Sequence, residues 1–233
     1  MSDLTPTNNP APSATASKNP RDNALQSRAL ANALATSERL IQSVLTSPDL
    51  LLALAPSGFN EVELNKGRSL FVTAQTQFAA RQEALGVATL AMKARDLAFE
   101  MAMDEFRAYR TTVQVNYREA ERANLGASGR IPTDRDKFIT VARAAYTTAV
   151  REPYLSVLAG FGFTQERLTN ALGVLDKFVA AEAAYTSAVG KARAATETRD
   201  IAANALKGWM MKLRFIAKTA LRDRPALMSL MKE

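Results

Sequence analysis

Proline placement limits what this chain can fold into more than any other feature. After Pro56 no proline occurs until Pro132, and after Pro153 none occurs until Pro225, two matching intervals of a little over 70 residues. A proline inside a helix removes a backbone donor and collides with the preceding turn, so proline-free intervals of this length are where long helices can run. Sliding the chain along itself by 104 residues accounts for the match: residues 51–98 align on 155–202 without gaps, with 15 identities in 48 positions. They include Leu54/Leu158, Gly58/Gly162, Phe59/Phe163, Leu64/Leu168, Gly86/Gly190, Arg95/Arg199 and Asp96/Asp200, so alanine richness alone does not produce the alignment. A tandem duplication is the expected origin.

Each half then reads as a short helix followed by a long one. In the first half, Asp22 or Asn23 caps a helix to about Leu45, Pro48 interrupts it, and a short turn of helix covers Asp49 to Ala55. After Pro56-Ser57-Gly58, Asn60 caps a long helix extending to about Arg122, before the breaker Gly126-Ala127-Ser128-Gly129. In the second half, Thr133 or Asp134 caps a helix to about Arg151, Pro153 marks a break, and Tyr154 to Ala159 repeats the short turn. Following Gly160-Phe161-Gly162, Thr164 caps the second long helix, ending near Arg222. A helix of about 60 residues is roughly 90 Å long if unbroken. The expected fold is all-α: an elongated, internally duplicated helical bundle with coiled-coil-like packing, comprising a disordered tail (1–22), repeat 1 (23–127) and repeat 2 (128–233) packed together. Two periodicities support continuity. Phe71, Phe78, Leu85, Met92, Phe99, Phe106 and Val113 recur every seven residues, and the second long helix carries alternating spacings of four and three from Val174 to Ile216.

Both halves also carry the same small-residue seam, Ala84, Ala88, Ala91, Arg95, Ala98 and Ala188, Ala192, Ala195, Arg199, Ala202. Small side chains let helix axes approach closely, and the two stripes are expected to lie in helix contacts. Arg95 and Arg199 interrupt the seam at equivalent places, each followed by Asp. An arginine that reaches the seam edge and pairs with an Asp or Glu of a neighbouring helix, fixing register, is the expected role, and an anion or ligand clamp at the centre of the bundle is the alternative.

Chemistry is limited by what is missing. With no His and no Cys, imidazole bases, thiolate nucleophiles, disulfides and His or Cys metal sites are excluded. No nucleotide-binding glycine loop occurs, and Gly190-Lys191 lies inside a helical pattern. Glu100, Asp104 and Glu105 share neighbouring turns and read as a solvated acidic face rather than a cation site. No catalytic residue, metal, cofactor or small-molecule substrate is expected, and an enzyme is not. The Ser-, Thr- and Pro-rich N-terminus lacks the apolar block of a secretory signal, and no stretch approaches the roughly 20 apolar residues of a membrane span, so a cytoplasmic protein is expected.

Net charge is +7, and the segment from Lys207 onward carries seven basic residues against Asp223 and Glu233. Lys207, Arg214, Lys218 and Arg222 line one helical face and Trp209, Leu213, Ile216 and Ala220 another; the four basic residues with Trp209 and Phe215 are the candidate partner-binding set for an acidic protein, nucleic acid or anionic membrane surface. The short helices cannot cover the long ones along their length. Apolar seam left uncovered predicts self-association into a homo-oligomer or filament, with a structural or interaction role.

Overall fold

The computed structural model describes residues 20–231, with side chains from 28 onward. The fold is an all-α helical bundle with no strands among these residues. Its helices are α1 (Pro20–Thr46), α2 (Pro48–Leu54), α3 (Glu61–Asn116), α4 (Glu119–Asn124), α5 (Arg135–Ala149), α6 (Tyr154–Ala159), α7 (Gln165–Ala220) and α8 (Pro225–Ser229). Most of the predicted tail lies outside the described residues, and α1 begins at Pro20, two residues before the earlier of the two expected caps. No single described helix is long and apolar enough to cross a membrane.

The expected caps at the internal starts form. Asn60 Oδ1 accepts from the Glu63 N–H at 3.1 Å, Asp134 Oδ1 from the Lys137 N–H at 2.9 Å, and Thr164 Oγ1 from the Arg167 N–H at 3.3 Å. Each satisfies a backbone donor that has no intrahelical partner. Gly58 and Gly162 stand at the turns into the long helices with φ of 89° and 82°, a left-handed conformation that a Cβ would strain. The turns share their bonding: the Phe59 N–H reaches Leu54 O at 3.3 Å, and the Phe163 N–H reaches Leu158 O at 3.0 Å. Both α3 and α7 contain 56 residues, and their starts and ends differ by the same 104-residue offset.

α3 stops at Asn116, short of the expected Arg122. The Asn116 side chain donates back to Thr112 O at 2.8 Å, and Tyr117 leaves the helix to donate its hydroxyl to Tyr154 O at 3.1 Å. The chain restarts as α4, where the Arg118 N–H is held by the Glu121 carboxylate at 3.2 Å. α7 similarly ends at Ala220 rather than Arg222.

Packing divides the chain into two units. One is Gln77–Asp200; the other combines the described residues up to Thr76 with those from Ile201, so each unit takes part of both sequence halves and both long helices contribute to each. In the unit Gln77–Asp200, α3 and α7 run antiparallel, with Phe99 against Phe178, Glu105 against Arg167 and Tyr109 against Phe163. Its core is aromatic: Phe106, Tyr109, Phe138 and Tyr146 meet largely edge to face, with centroids 5.1–6.0 Å apart. Ala142, Ala145 and Ala149 of α5 leave room for these rings. The loop after α4 is tied down by buried Arg110, whose guanidinium donates to Ala127 O at 3.0 Å and to Gly129 O at 2.7 Å.

The other unit is mainly aliphatic, with buried Leu40, Val44, Leu50, Leu54 and Leu64 from its early segments and Leu206, Leu213 and Leu221 from its late ones. Trp209 is its largest aromatic side chain. The ring meets Phe59 edge-on at 5.6 Å, its indole N–H donates to Glu63 Oε1 at 3.0 Å, and it occupies the space above Gly67.

Candidate functional site

The two seam arginines are both buried but meet different surroundings. Arg95 forks onto Asp96 Oδ1 through Nε at 2.9 Å and Nη2 at 2.7 Å, and its guanidinium lies 4.0 Å from the Tyr185 ring centroid. Glu182 Oε2 is 4.0 Å from Arg95 Nε, and Arg135 bridges Asp96 and Glu182 at 3.1 and 3.5 Å. Burial opposes the Arg95 charge, but Asp96, Tyr185 and Glu182 together outweigh it and hold its pKa above the ordinary arginine value. This is a neutralised cluster of two guanidiniums and two carboxylates. Arg199 makes the same fork onto its own Asp200. Opposite it stands Arg81, which the sequence reading did not single out: it is buried and donates through Nε to Thr196 Oγ1 at 3.3 Å.

The seam alanines face inward to different degrees. Ala188, Ala192 and Ala202 are buried, while Ala84, Ala88, Ala91, Ala98 and Ala195 are half-buried. The seven-residue line on α3 does not stay covered: Phe71, Phe106 and Val113 are buried, but Met92 is exposed.

A second apolar line lies on the outer surface of α3. Val87, Leu90, Ala94, Leu97 and Met101 follow one another at alternating spacings of three and four, and all are exposed; Leu90 is 67% and Leu97 59% accessible. The acidic residues beside its end have separate roles. Glu105 pairs with Arg167 at 2.9 Å, Asp104 pairs with Arg107 at 2.9 Å, and Glu100 is exposed. No cluster that could hold a metal ion occurs among the described residues.

On the C-terminal part of α7, Lys207, Arg214, Phe215 and Lys218 are exposed, as is Arg222 just beyond the helix. Trp209 corrects the sequence-based set. It is only 5% accessible, so it belongs to the core and cannot contact a partner. It continues the buried four-three line of Ala202, Leu206 and Leu213 on α7, and Gly67, far away in sequence, leaves the space its ring fills. The exposed apolar residues here are Met211 and Phe215. Beside them a groove of about 510 Å³ runs between α1 and α7, lined by Leu30, Leu34, Leu206, Lys207, Met210 and Arg214 among others.

The architecture and these surfaces place the chain in the class of all-α helical bundles. Comparison with known proteins returns no match among family models, curated proteins or solved structures.

Proposed function

We propose that this protein is an internally duplicated helical bundle with a structural or interaction role that self-associates through the outer face of α3. The observation that carries this reading is the apolar line Val87, Leu90, Ala94, Leu97 and Met101, which repeats with the spacing a second helix would cover. A second copy of the chain supplies the same line, so an antiparallel α3–α3 contact is the proposed dimer. Sedimentation from low to high micromolar concentration is expected to show a mass rising above the monomer, and Leu90→Lys combined with Leu97→Lys is expected to restore the monomer without loss of helicity. A plateau at twice the monomer mass means a closed dimer, and continued growth means a head-to-tail filament. A wild-type chain that remains monomeric throughout refutes the reading.

The duplication is supported by more than identities. Glu63 and Trp209 form a bonded pair beside the Phe59 ring; shifting each position by 104 gives Arg167 and Glu105, a bonded pair beside the Phe163 ring. The contact positions recur while the chemistry has changed from indole–carboxylate to guanidinium–carboxylate.

A second reading, binding to nucleic acid or an anionic membrane, is favoured by Met211 and Phe215, 63% and 71% exposed among Lys207, Arg214 and Lys218. Binding to vesicles containing anionic lipid but not to purely zwitterionic ones, lost on Phe215→Ser, would support the membrane form. Salt-sensitive DNA binding, lost when Lys207, Arg214, Lys218 and Arg222 become Gln but insensitive to Phe215→Ser, would support the nucleic-acid form. Absence of both eliminates this reading.

A further inference from the structure

We propose that Arg81 and Arg199, facing each other across α3 and α7 in the unit Gln77–Asp200, form a binding site for a small tetrahedral oxyanion: phosphate, free or as the head of a small ester. Arg81 is 7% accessible, yet no carboxylate lies within ion-pairing distance of it among the described residues. Its one hydrogen bond to those residues runs from Nε to Thr196, whose own hydroxyl proton goes to Ala192 O at 2.8 Å. The two terminal amino groups of the guanidinium therefore have donors to give. Arg199 lies three residues beyond Thr196, on the same face of α7, and is 9% accessible. Its fork is turned to a single oxygen of Asp200, whose side chain is 54% exposed.

The neutralised cluster around Arg95 shows what is missing here. Tyr185, which faces Arg95, corresponds at the 104-residue offset to Arg81, and Glu182, which supplies the second carboxylate, corresponds to Phe78. One arginine seat thus has two guanidiniums and two carboxylates, and the other has two guanidiniums and one. A largely buried guanidinium without a carboxylate of its own favours an anionic partner, and the Arg81 terminal amino groups remain within reach of solvent, where such a partner can meet them. Burial and then the neighbouring Arg199 both depress the Arg81 pKa, and Asp200 only partly offsets them. A bound anion would supply the missing negative charge. The terminal amino groups of Arg81, with the Arg199 donors that Asp200 leaves unused, approach from different helices and match the several edges of a tetrahedral oxyanion better than a single carboxylate.

The experiment is calorimetric titration and thermal melting of the full chain in inorganic phosphate, methyl phosphate or acetate, against chloride at equal ionic strength. Phosphate at about ten times its Kd is expected to raise Tm by roughly 3–6 °C over chloride. Arg81→Gln is expected to abolish that rise, while Arg95→Gln, at the neutralised seat, retains it. Arg81→Lys keeps the charge but loses the fork, and is expected to weaken phosphate about tenfold. It serves as the test should Arg81→Gln not fold, and an unchanged Kd in it overturns the site. Methyl phosphate binding as well as phosphate assigns the site to the head of an ester; its failure assigns the site to the free ion. No phosphate-specific heat or Tm rise in the wild type, equal effects of acetate and phosphate, or a full rise in Arg81→Gln each overturns the proposal.

Discussion

Trp209→Ala is expected to destabilise the protein by about 3–5 kcal/mol, the usual cost of removing a large buried aromatic side chain. For a chain of this size, that corresponds to a fall in Tm of roughly 6–20 °C. The ring is 5% accessible and its loss removes the contact with Phe59 and the bond to Glu63. Glu63 itself is partly exposed and can be rehydrated, so the cost comes mainly from the cavity. The diagnostic partner is Gly67, where an added Cβ would stand 2.3 Å from the indole ring. Gly67→Ala alone is expected to cost about 1–3 kcal/mol through overpacking, although alanine is the better helix former. In the Trp209→Ala background the collision is gone, and the same change is expected to be neutral or stabilising. Chemical denaturation of the four proteins gives the coupling energy directly; strict additivity would show that the ring does not occupy the space above Gly67.

Raising the pH above about 10 is expected to destabilise this protein steadily, because Tyr109 and Tyr146 are buried in the core of the unit Gln77–Asp200. Burial raises the pKa of Tyr109 well above its ordinary value of 10.0, and burial together with Glu105 does the same for Tyr146. Below pH 10 both phenols are neutral in folded and unfolded chains alike, and their contribution to stability is complete. Above it the unfolded chain gives up the protons while the folded chain keeps them. Stability therefore falls with rising pH, by about 1.4 kcal/mol per pH unit for each tyrosine, until the folded-state pKa is reached. The two are distinguishable. Tyr109 donates to Leu125 O at 3.1 Å, whereas the Tyr146 hydroxyl has no partner among the described residues. Tyr146→Phe is expected to gain about 1 kcal/mol at neutral pH, since it removes an unsatisfied buried polar group, and to lower the alkaline slope by about 1.4 kcal/mol per pH unit. Denaturation curves between pH 8 and 11.5 provide the test, and a slope unchanged by Tyr146→Phe would sink the argument.

Where local chemistry decides structure, the sequence was legible. Asn60, Asp134 and Thr164 are caps because their side-chain oxygens can reach an unpaired N–H three residues on, and Gly58 and Gly162 stand where a left-handed residue is required. The end of α3 was not legible, because Tyr117 leaves the helix for a carbonyl on α6, a contact with no proline or glycine to announce it. Arg95 and Arg199 were found from their repeated position within an apolar seam. Arg81 was missed because it stands outside that repeat: its counterpart is Tyr185, and only the folded α3–α7 contact brings it against Thr196. Trp209 was misassigned because it neighbours the basic residues in sequence; the four-three line from Val174 to Ile216 already carries it, and that line is the buried one here.

The division of the chain into units sets an order on its making. Everything in Gln77–Asp200 is synthesised before any of the late segment, and its aromatic centre needs no residue beyond Asp200. The aliphatic unit must wait, because Phe59 and Glu63 find Trp209 only after the end of α7 has emerged. The inner segment is thus synthesised as a continuous stretch of contacts, and the early residues are held in suspense until the late ones arrive to close over them.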